Sequence, residues 1–209
     1  MRIYILRHED RTMDATFFSP LTKEGLNNSV KLVDVLKKES INKIYSSPFI
    51  RTLQTVYPYT NTTNKKVNLE YSLSEVQHPH IIPEKSYQIT LPEYIAESFN
   101  YNSKYISMLN PIDHVYPESE KDVETRVKNF IKKLIHTNYL TDNNILLVTH
   151  QIVCNIIIKF ATKNKKNNLN ENYPRGALSL VLDNTHWTFK TINWEILTTD
   201  SYKTESESQ

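Results

Sequence analysis

The nine residues IYILRHEDR, positions 3–11, open with four uncharged residues and close on Arg7, His8, Glu9, Asp10 and Arg11. Residues 2–6 read as a short, mostly apolar strand. Charges massed at the end of a buried strand must meet something, because buried charge is costly unless it is paired. A second stretch repeats the design: Ile145–Val148 is continuously apolar, as a fully buried strand requires, and runs into Thr149 and His150. In open α/β sheets, ligands gather beyond the carboxyl ends of the strands. The two histidines are therefore expected to face one crevice.

The pattern between and around these strands alternates. Thr22 is a helix N-cap ahead of Leu26, Val30, Val33 and Leu36, which recur at three- and four-residue steps. Lys43–Ser46 is a second strand, followed by Ser47-Pro48 and a helix running to about Tyr57, where Pro58 is expected to stop it. Asn61–Lys66 reads as a polar loop and Val67–Glu70 as a third strand. Ser119–His136 is a helix with Val123, Val127, Phe130, Leu134 and Ile135 on one face. A helix over 152–161, a polar linker over 162–172, closing strands at 177–182 and 187–192, and a frayed tail at 201–209 complete the chain. The whole predicts an α/β fold: a three-layer sandwich with a largely parallel central sheet and helices on both faces. Residues 1–200 form one domain in this reading. Residues 77–118, rich in proline and tyrosine, form an irregular cap insertion.

Bulk properties exclude several classes of function. A formal charge of +2 over 209 residues leaves no electrostatic footprint for nucleic acid. No run approaches a membrane span, and the apolar start MRIYIL is too short for a signal peptide. Cys154 is the lone cysteine, so no internal disulfide forms and a reducing, cytoplasmic setting is expected. With only Gly25 and Gly176, no glycine-rich phosphate loop can be built. Any phosphate must be held by side chains. Arg51 suits that task, because it lies one turn into a helix whose N-terminus already favours anions. Glu75, after the third strand, is by itself one loop glutamate among others.

Taken together, LRH at 6–8, SPLTKEG at 19–25, YSSPFIRTLQT at 45–55, SLSE at 72–75, ESEKDVETRV at 118–127, VTH at 148–150 and PRGALSLVL at 174–182 resemble the histidine phosphatase superfamily, the phosphoglycerate mutase-like family. The resemblance covers nearly the whole chain. It implies that His8 is the nucleophile and forms a phosphohistidine, that Arg7, Arg51 and His150 clamp the phosphoryl oxygens, and that Glu75 donates the proton to the leaving group. It implies no metal and no other cofactor, since side chains supply the positive charge. The spacing Arg7-His8-x-x-Arg11 is similar to the branch containing the T-cell-signalling tyrosine phosphatases and ecdysteroid-phosphate phosphatase, where that arginine is a third phosphate contact. The implied partner is a phosphorylated small molecule or a phosphotyrosine.

The chain departs from the family pattern at Glu9, where glycine is usual; either the turn accepts a side chain or the pocket is distorted. That residue keeps open a catalytically silent, phospholigand-binding role. Phosphoglycerate mutase activity is the other alternative, although the Glu-Arg-x-Tyr-Gly stretch of cofactor-dependent mutases is missing after Glu75. Two histidines, His78 and His80, lack the carboxylates or cysteines of a metal site and are assigned to the substrate entrance. Tyr87, Tyr94, Tyr101 and Tyr105 are expected to pack the cap onto the core, and Cys154 to be a small buried hydrophobe.

Overall fold

Alternation along the first strand decides the layering. In the computed structural model, which describes residues 1–14, 16–82, 90–162 and 173–200, β1 spans Arg2–Arg7. It is followed by α1 (Lys23–Lys38), β2 (Lys43–Ser46), α2 (Ile50–Thr63), β3 (Val67–Leu69), α3 (Glu93–Glu97), α4 (Glu120–Asn138), β4 (Asn144–Thr149), α5 (Gln151–Thr162), β5 (Leu178–Asp183), β6 (His186–Thr191) and α6 (Trp194–Asp200). Among the described residues the strands form one six-stranded sheet in the order β3-β2-β4-β1-β5-β6. The first four are mutually parallel, and β5 and β6 close the edge antiparallel to their neighbours.

Successive side chains of a strand face opposite sides, and β1 and β4 use this fully. Ile3, Ile5, Ile145 and Leu147 pack with Val127 and Phe130 of α4 and Val153 and Ile157 of α5. Tyr4, Leu6, Leu146 and Val148 pack with Leu32 and Leu36 of α1 and Leu53 and Val56 of α2. Two apolar cores therefore flank the sheet, and the three-layer expectation holds. Because β1, β4 and β2 are adjacent and parallel, their carboxyl ends align: Arg7 pairs with Thr149, and Ser46 with Val148. The ladder continues one residue further, with the His8 amide donating to the Thr149 carbonyl at 3.0 Å and the Ser47 amide to the Val148 carbonyl at 2.9 Å.

Two local expectations are corrected. Pro58 does not end α2, which runs on to Asn64 in the left-handed region (φ 53°). Proline removes one intrahelical hydrogen bond, but the buried face formed by Leu53, Val56, Tyr59 and Thr60 carries the helix through it. In α1, Leu26 and Val30 are exposed, and the inward stripe is Gly25, Ser29, Leu32, Val33 and Leu36. The cause is close packing at its first turn: a Cβ on Gly25 would lie 2.2 Å from the Asp10 carbonyl oxygen. The small residues therefore turn inward. Helix α6 was not anticipated from the sequence.

Between 77 and 118 the described residues hold α3 and a short 3₁₀ turn at Pro111–Asp113. Ile82, Leu91 and Ala96 anchor this stretch to the core on the α1–α2 face. Tyr101 donates to Glu93 and Tyr105 to Glu70, while Tyr94 is exposed. Tyr87, the linker from 163 to 172 and the tail from 201 lie outside the described residues. Among the described residues, no helix is long and apolar enough to cross a membrane.

Candidate active site

His8 leaves the end of β1 almost wholly buried, at 3% exposure. Its Nδ1 lies 2.7 Å from the Glu9 carbonyl oxygen. A carbonyl oxygen only accepts, so Nδ1 carries the proton in this contact and the lone pair is on Nε2. Burial is the largest influence on the ring's basicity, followed by the Arg51 charge, with Arg7 and Arg11 adding to it; together they hold the pKa well below that of an ordinary histidine. The ring is thus neutral at physiological pH and offers a free nitrogen.

His150 stands at the end of β4, fully buried, with its ring centroid 5.3 Å from that of His8. Its Nε2 is 2.8 Å from Ser47 Oγ, and its Nδ1 is 3.4 Å from Glu75 Oε2. The Ser47 hydroxyl oxygen accepts from the Phe49 amide at 3.4 Å, which leaves its proton available for His150 Nε2. That arrangement places the single N–H proton of the neutral His150 ring on Nδ1, aimed toward Glu75. Burial, then Arg51 and His8, also hold His150 well below the ordinary histidine range.

The positive charge comes from three arginines. Arg51, in the first turn of α2, is 1% exposed; Nη1 donates to the Thr16 carbonyl at 2.8 Å and the guanidinium lies 4.6 Å from the Phe49 ring centroid. Burial pushes its pKa down to about 10, against the pull of Glu75, so it stays charged at neutral pH. Arg7 is oriented by donation from Nη1 to the Tyr173 carbonyl. Arg11 is half-buried at the edge, with Nη1 on the Thr12 carbonyl at 2.6 Å and its backbone bridged to Leu21. Its charge reaches both His8 and Arg51.

Glu75 completes the cluster. Its Oε2 lies 3.7 Å from Arg51 Nη2 as well as 3.4 Å from His150, and its side chain is 12% exposed. One donor atom from each of His8, Glu75 and His150 lies within 4.8 Å of the other two. Such a triad has the dimensions to ligate a metal ion, but the surrounding guanidinium charges oppose a cation and favour an anion. Neither His78 nor His80 belongs to a group of three such donors among the described residues; their rings stack at 5.0 Å.

All six residues singled out in the sequence therefore converge, with Arg11 outermost. The supporting contacts had not been assigned: Ser47 on His150, the Thr16 carbonyl on Arg51, the Tyr173 carbonyl on Arg7, and Thr55, whose Oγ1 accepts from the Glu9 amide at 3.0 Å. Ser47 and Thr55 both lie inside YSSPFIRTLQT, where their place beside a helix start was the available signal. Cys154 is fully buried, and burial pushes its thiol pKa up, which leaves it unreactive.

Glu9 does not distort the pocket; a glycine elsewhere accommodates it. Gly176 adopts φ +69°, and a Cβ there would fall 2.0 Å from Glu9 Oε1. The Glu9 carboxyl is thus packed against Gly176, and burial raises its pKa from 4.5 to about 7, partly offset by the Asp10 backbone. A raised carboxyl pKa means stability is fully present below pH 4.5 and is lost as pH rises through 7. Glu9→Gln is accordingly expected to unfold at higher urea concentration than the parent at pH 8.5, by on the order of 3 kcal/mol. The gain should vanish below pH 4.5. An equal effect at both pH values would show that ionisation of Glu9 is not the cause.

Residues 4–195 match the family model described as histidine phosphatase superfamily (branch 1). No curated protein sequence is similar enough to count as a match. Among solved structures, the alpha-ribazole phosphatase from Shigella flexneri superposes with a TM-score of 0.64 at 20% identity, over 92% of this chain and 96% of that one. The mycobacterial glucosyl-3-phosphoglycerate phosphatase in complex with inorganic phosphate gives 0.63 at 17% identity, over 91% and 94%. The ecdysone phosphate phosphatase from Bombix mori in complex with tungstate gives 0.62 at 14%, over 92% of each chain. The paired strand-end histidines, the arginines around them and the family match over 4–195 lead to one conclusion: this chain belongs to the histidine phosphatase superfamily, branch 1.

Proposed function

We propose that the protein is a metal-independent phosphomonoester hydrolase working through a phosphohistidine on His8. The observation that carries the reading is the neutral, tautomer-fixed ring of His8 set among Arg7, Arg11 and Arg51 and facing a carboxyl group. The lone pair of His8 Nε2 forms the N–P bond as the ester P–O bond breaks. The proton of Glu75 passes to the departing oxygen. Water then attacks phosphorus, its proton goes to Glu75, and the N–P bond breaks to release phosphate and restore His8. Arg7, Arg11, Arg51 and the Nδ1–H of His150 hold the equatorial oxygens, where charge spreads in the transition state. A mutase has to exclude water from its phosphoenzyme, and the stretch typical of cofactor-dependent mutases is missing after Glu75, which favours hydrolysis.

The substrate class is a phosphorylated small molecule or a phosphotyrosine, with residues 77–118 serving as the cap over a single domain spanning 1–200. The superposed solved structures are named for phosphatases of three different esters, which supports hydrolysis as the shared chemistry and leaves the leaving group to the cap. A reducing cytoplasm suits the lone buried thiol of Cys154.

The test is turnover of p-nitrophenyl phosphate with chelator present. Activity should persist in chelator and decline on the alkaline side, as a reaction that needs a general acid must. Absence of turnover between about pH 5 and 7.5 would favour the silent phospholigand-binding alternative. On an alkyl phosphate, whose leaving oxygen must be protonated, a flat rate up to pH 9 would exclude Glu75 as the acid.

A further inference from the structure

We infer that Arg126, held by Glu118, is a positioning residue that sets the reach of Glu75 toward the leaving-group oxygen; the inference rests on the proton-donor role proposed for Glu75. Glu75 has no regular element beneath it. It follows β3 and a single 3₁₀ turn, Tyr71–Leu73, and its side chain leaves that irregular segment with three rotatable torsions. A general acid must stay within about 0.5 Å of its productive position. Contacts at its carboxylate, from His150, Arg51 and the Val76 amide, aim the group, but how far it reaches depends on what grips the backbone.

The long-range part of that grip is Arg126. Its Nη1 donates to the Ser72 carbonyl at 2.7 Å and its Nη2 to the Glu75 carbonyl at 3.3 Å, an oxygen that also accepts from Gln77 Nε2 at 2.7 Å. The rest of the guanidinium forks onto Glu118, with Nε on Oε1 at 2.7 Å and Nη2 on Oε2 at 3.0 Å. Glu118 also takes hold of the segment, since its Oε2 accepts from the Gln77 amide at 2.8 Å and its own amide donates to the Gln77 carbonyl at 2.7 Å. Thr149, next to His150, donates from Oγ1 to the Leu73 carbonyl at 2.6 Å. Residues 72, 73, 75 and 77 are therefore fixed from two sides, by Arg126 of α4 with Glu118 just ahead of that helix, and by the end of β4.

The grip is rigid for identifiable reasons. Ser119 and Asp122 form a capping box that fixes the start of α4 immediately after Glu118, so Arg126 enters the turn at a set rotation. Val127 and Phe130 seat the same helix in the core. Both partners of the pair are buried, with side-chain exposures of 7% and 3%. Burial pushes the Glu118 pKa up, but His114 and Arg126 outweigh it and hold the carboxyl at about 2. The Glu118 carboxylate stays ionised across the working range, so the geometry of the contact does not drift with pH. No lysine can replace it: an ammonium lacks the planar fork that meets a carboxylate and two carbonyls at once.

On its other side the pair borders a cavity of about 300 Å³ lined by Ser72, Met108, His114 and Phe130. Water admitted there can satisfy carbonyls that a shorter side chain abandons, so Arg126→Lys is expected to fold.

The test compares kcat/KM, which reports the P–O cleavage step, on a series of esters. Dinitrophenyl phosphate releases a phenolate that needs no proton; phenyl and alkyl phosphates release oxygens that do. Arg126→Lys and Glu118→Gln are expected to lose roughly 10- to 100-fold on phenyl and alkyl phosphates but less than about threefold on dinitrophenyl phosphate, a part of the full effect of a general acid. Glu75→Gln should show the same selectivity, more strongly. If the Arg126 and Glu118 variants lose activity equally on all esters, the pair is merely structural and the inference is wrong. If Glu75→Gln itself lacks selectivity, the proton-donor reading falls first, and the two failures are told apart.

Discussion

Replacing His8 with alanine is expected to lower turnover by on the order of 10⁴-fold or more, the range seen when a covalent nucleophile is removed. Nothing nearby can substitute. His150 is the sole other imidazole of the cluster, and its Nε2 is committed to Ser47 while Nδ1 faces Glu75. The fold should survive, because the ring's polar contact within the described structure is one hydrogen bond to the Glu9 carbonyl, worth about 1–2 kcal/mol when broken. Steady-state assays beside a thermal melt would separate the two effects. Retention of more than a few per cent of activity in a folded His8→Ala protein would exclude His8 as nucleophile.

Arg51→Met is the second large effect, expected at about 10³-fold in kcat/KM. Methionine replaces the stem of a side chain that is 1% exposed, so the loss reads as missing charge more than missing packing. The substitution also carries a signature in pH. After burial, Arg51 is the largest influence lowering the pKa of both His8 and His150. Its removal lets both pKa values rise, so the acid limb of the rate profile should move to higher pH. A modest loss with an unmoved acid limb would show that Arg51 does not face the phosphoryl group.

These expectations depend on features with unequal visibility in the sequence. The sheet was legible because β1 and β4 are buried on both faces, and strands in that position write themselves as unbroken apolar runs. The paired histidines were legible for the same reason, as polar residues standing where those runs stop. Helix α1 was misread in detail because hydrophobic periodicity weighs Leu26 and Val30 above Gly25 and Ser29, whereas the helix turns inward where small residues let it approach Asp10. Pro58 misled for a related reason: one missing hydrogen bond costs less than the packing of the face around it gains.

Tertiary partners were the least legible. Glu9 looked like a foreign charge until Gly176 was found against it, and 167 positions separate the two in the chain. The grip on Glu75 spans 54 positions from Ser72 to Arg126, and no local pattern announces such a contact. ESEKDVETRV resembled a family motif, but its physical purpose became visible only once α4 lay beside the turn.

The account stands most directly on a covalent intermediate. Rapid acid-free quenching of the enzyme during turnover of a radiolabelled phosphate ester, followed by peptide mapping, should place the label on His8 through Nε2 as an acid-labile phosphoramidate absent from His8→Ala. Steady turnover with no label trapped, or label on any other residue, would contradict it.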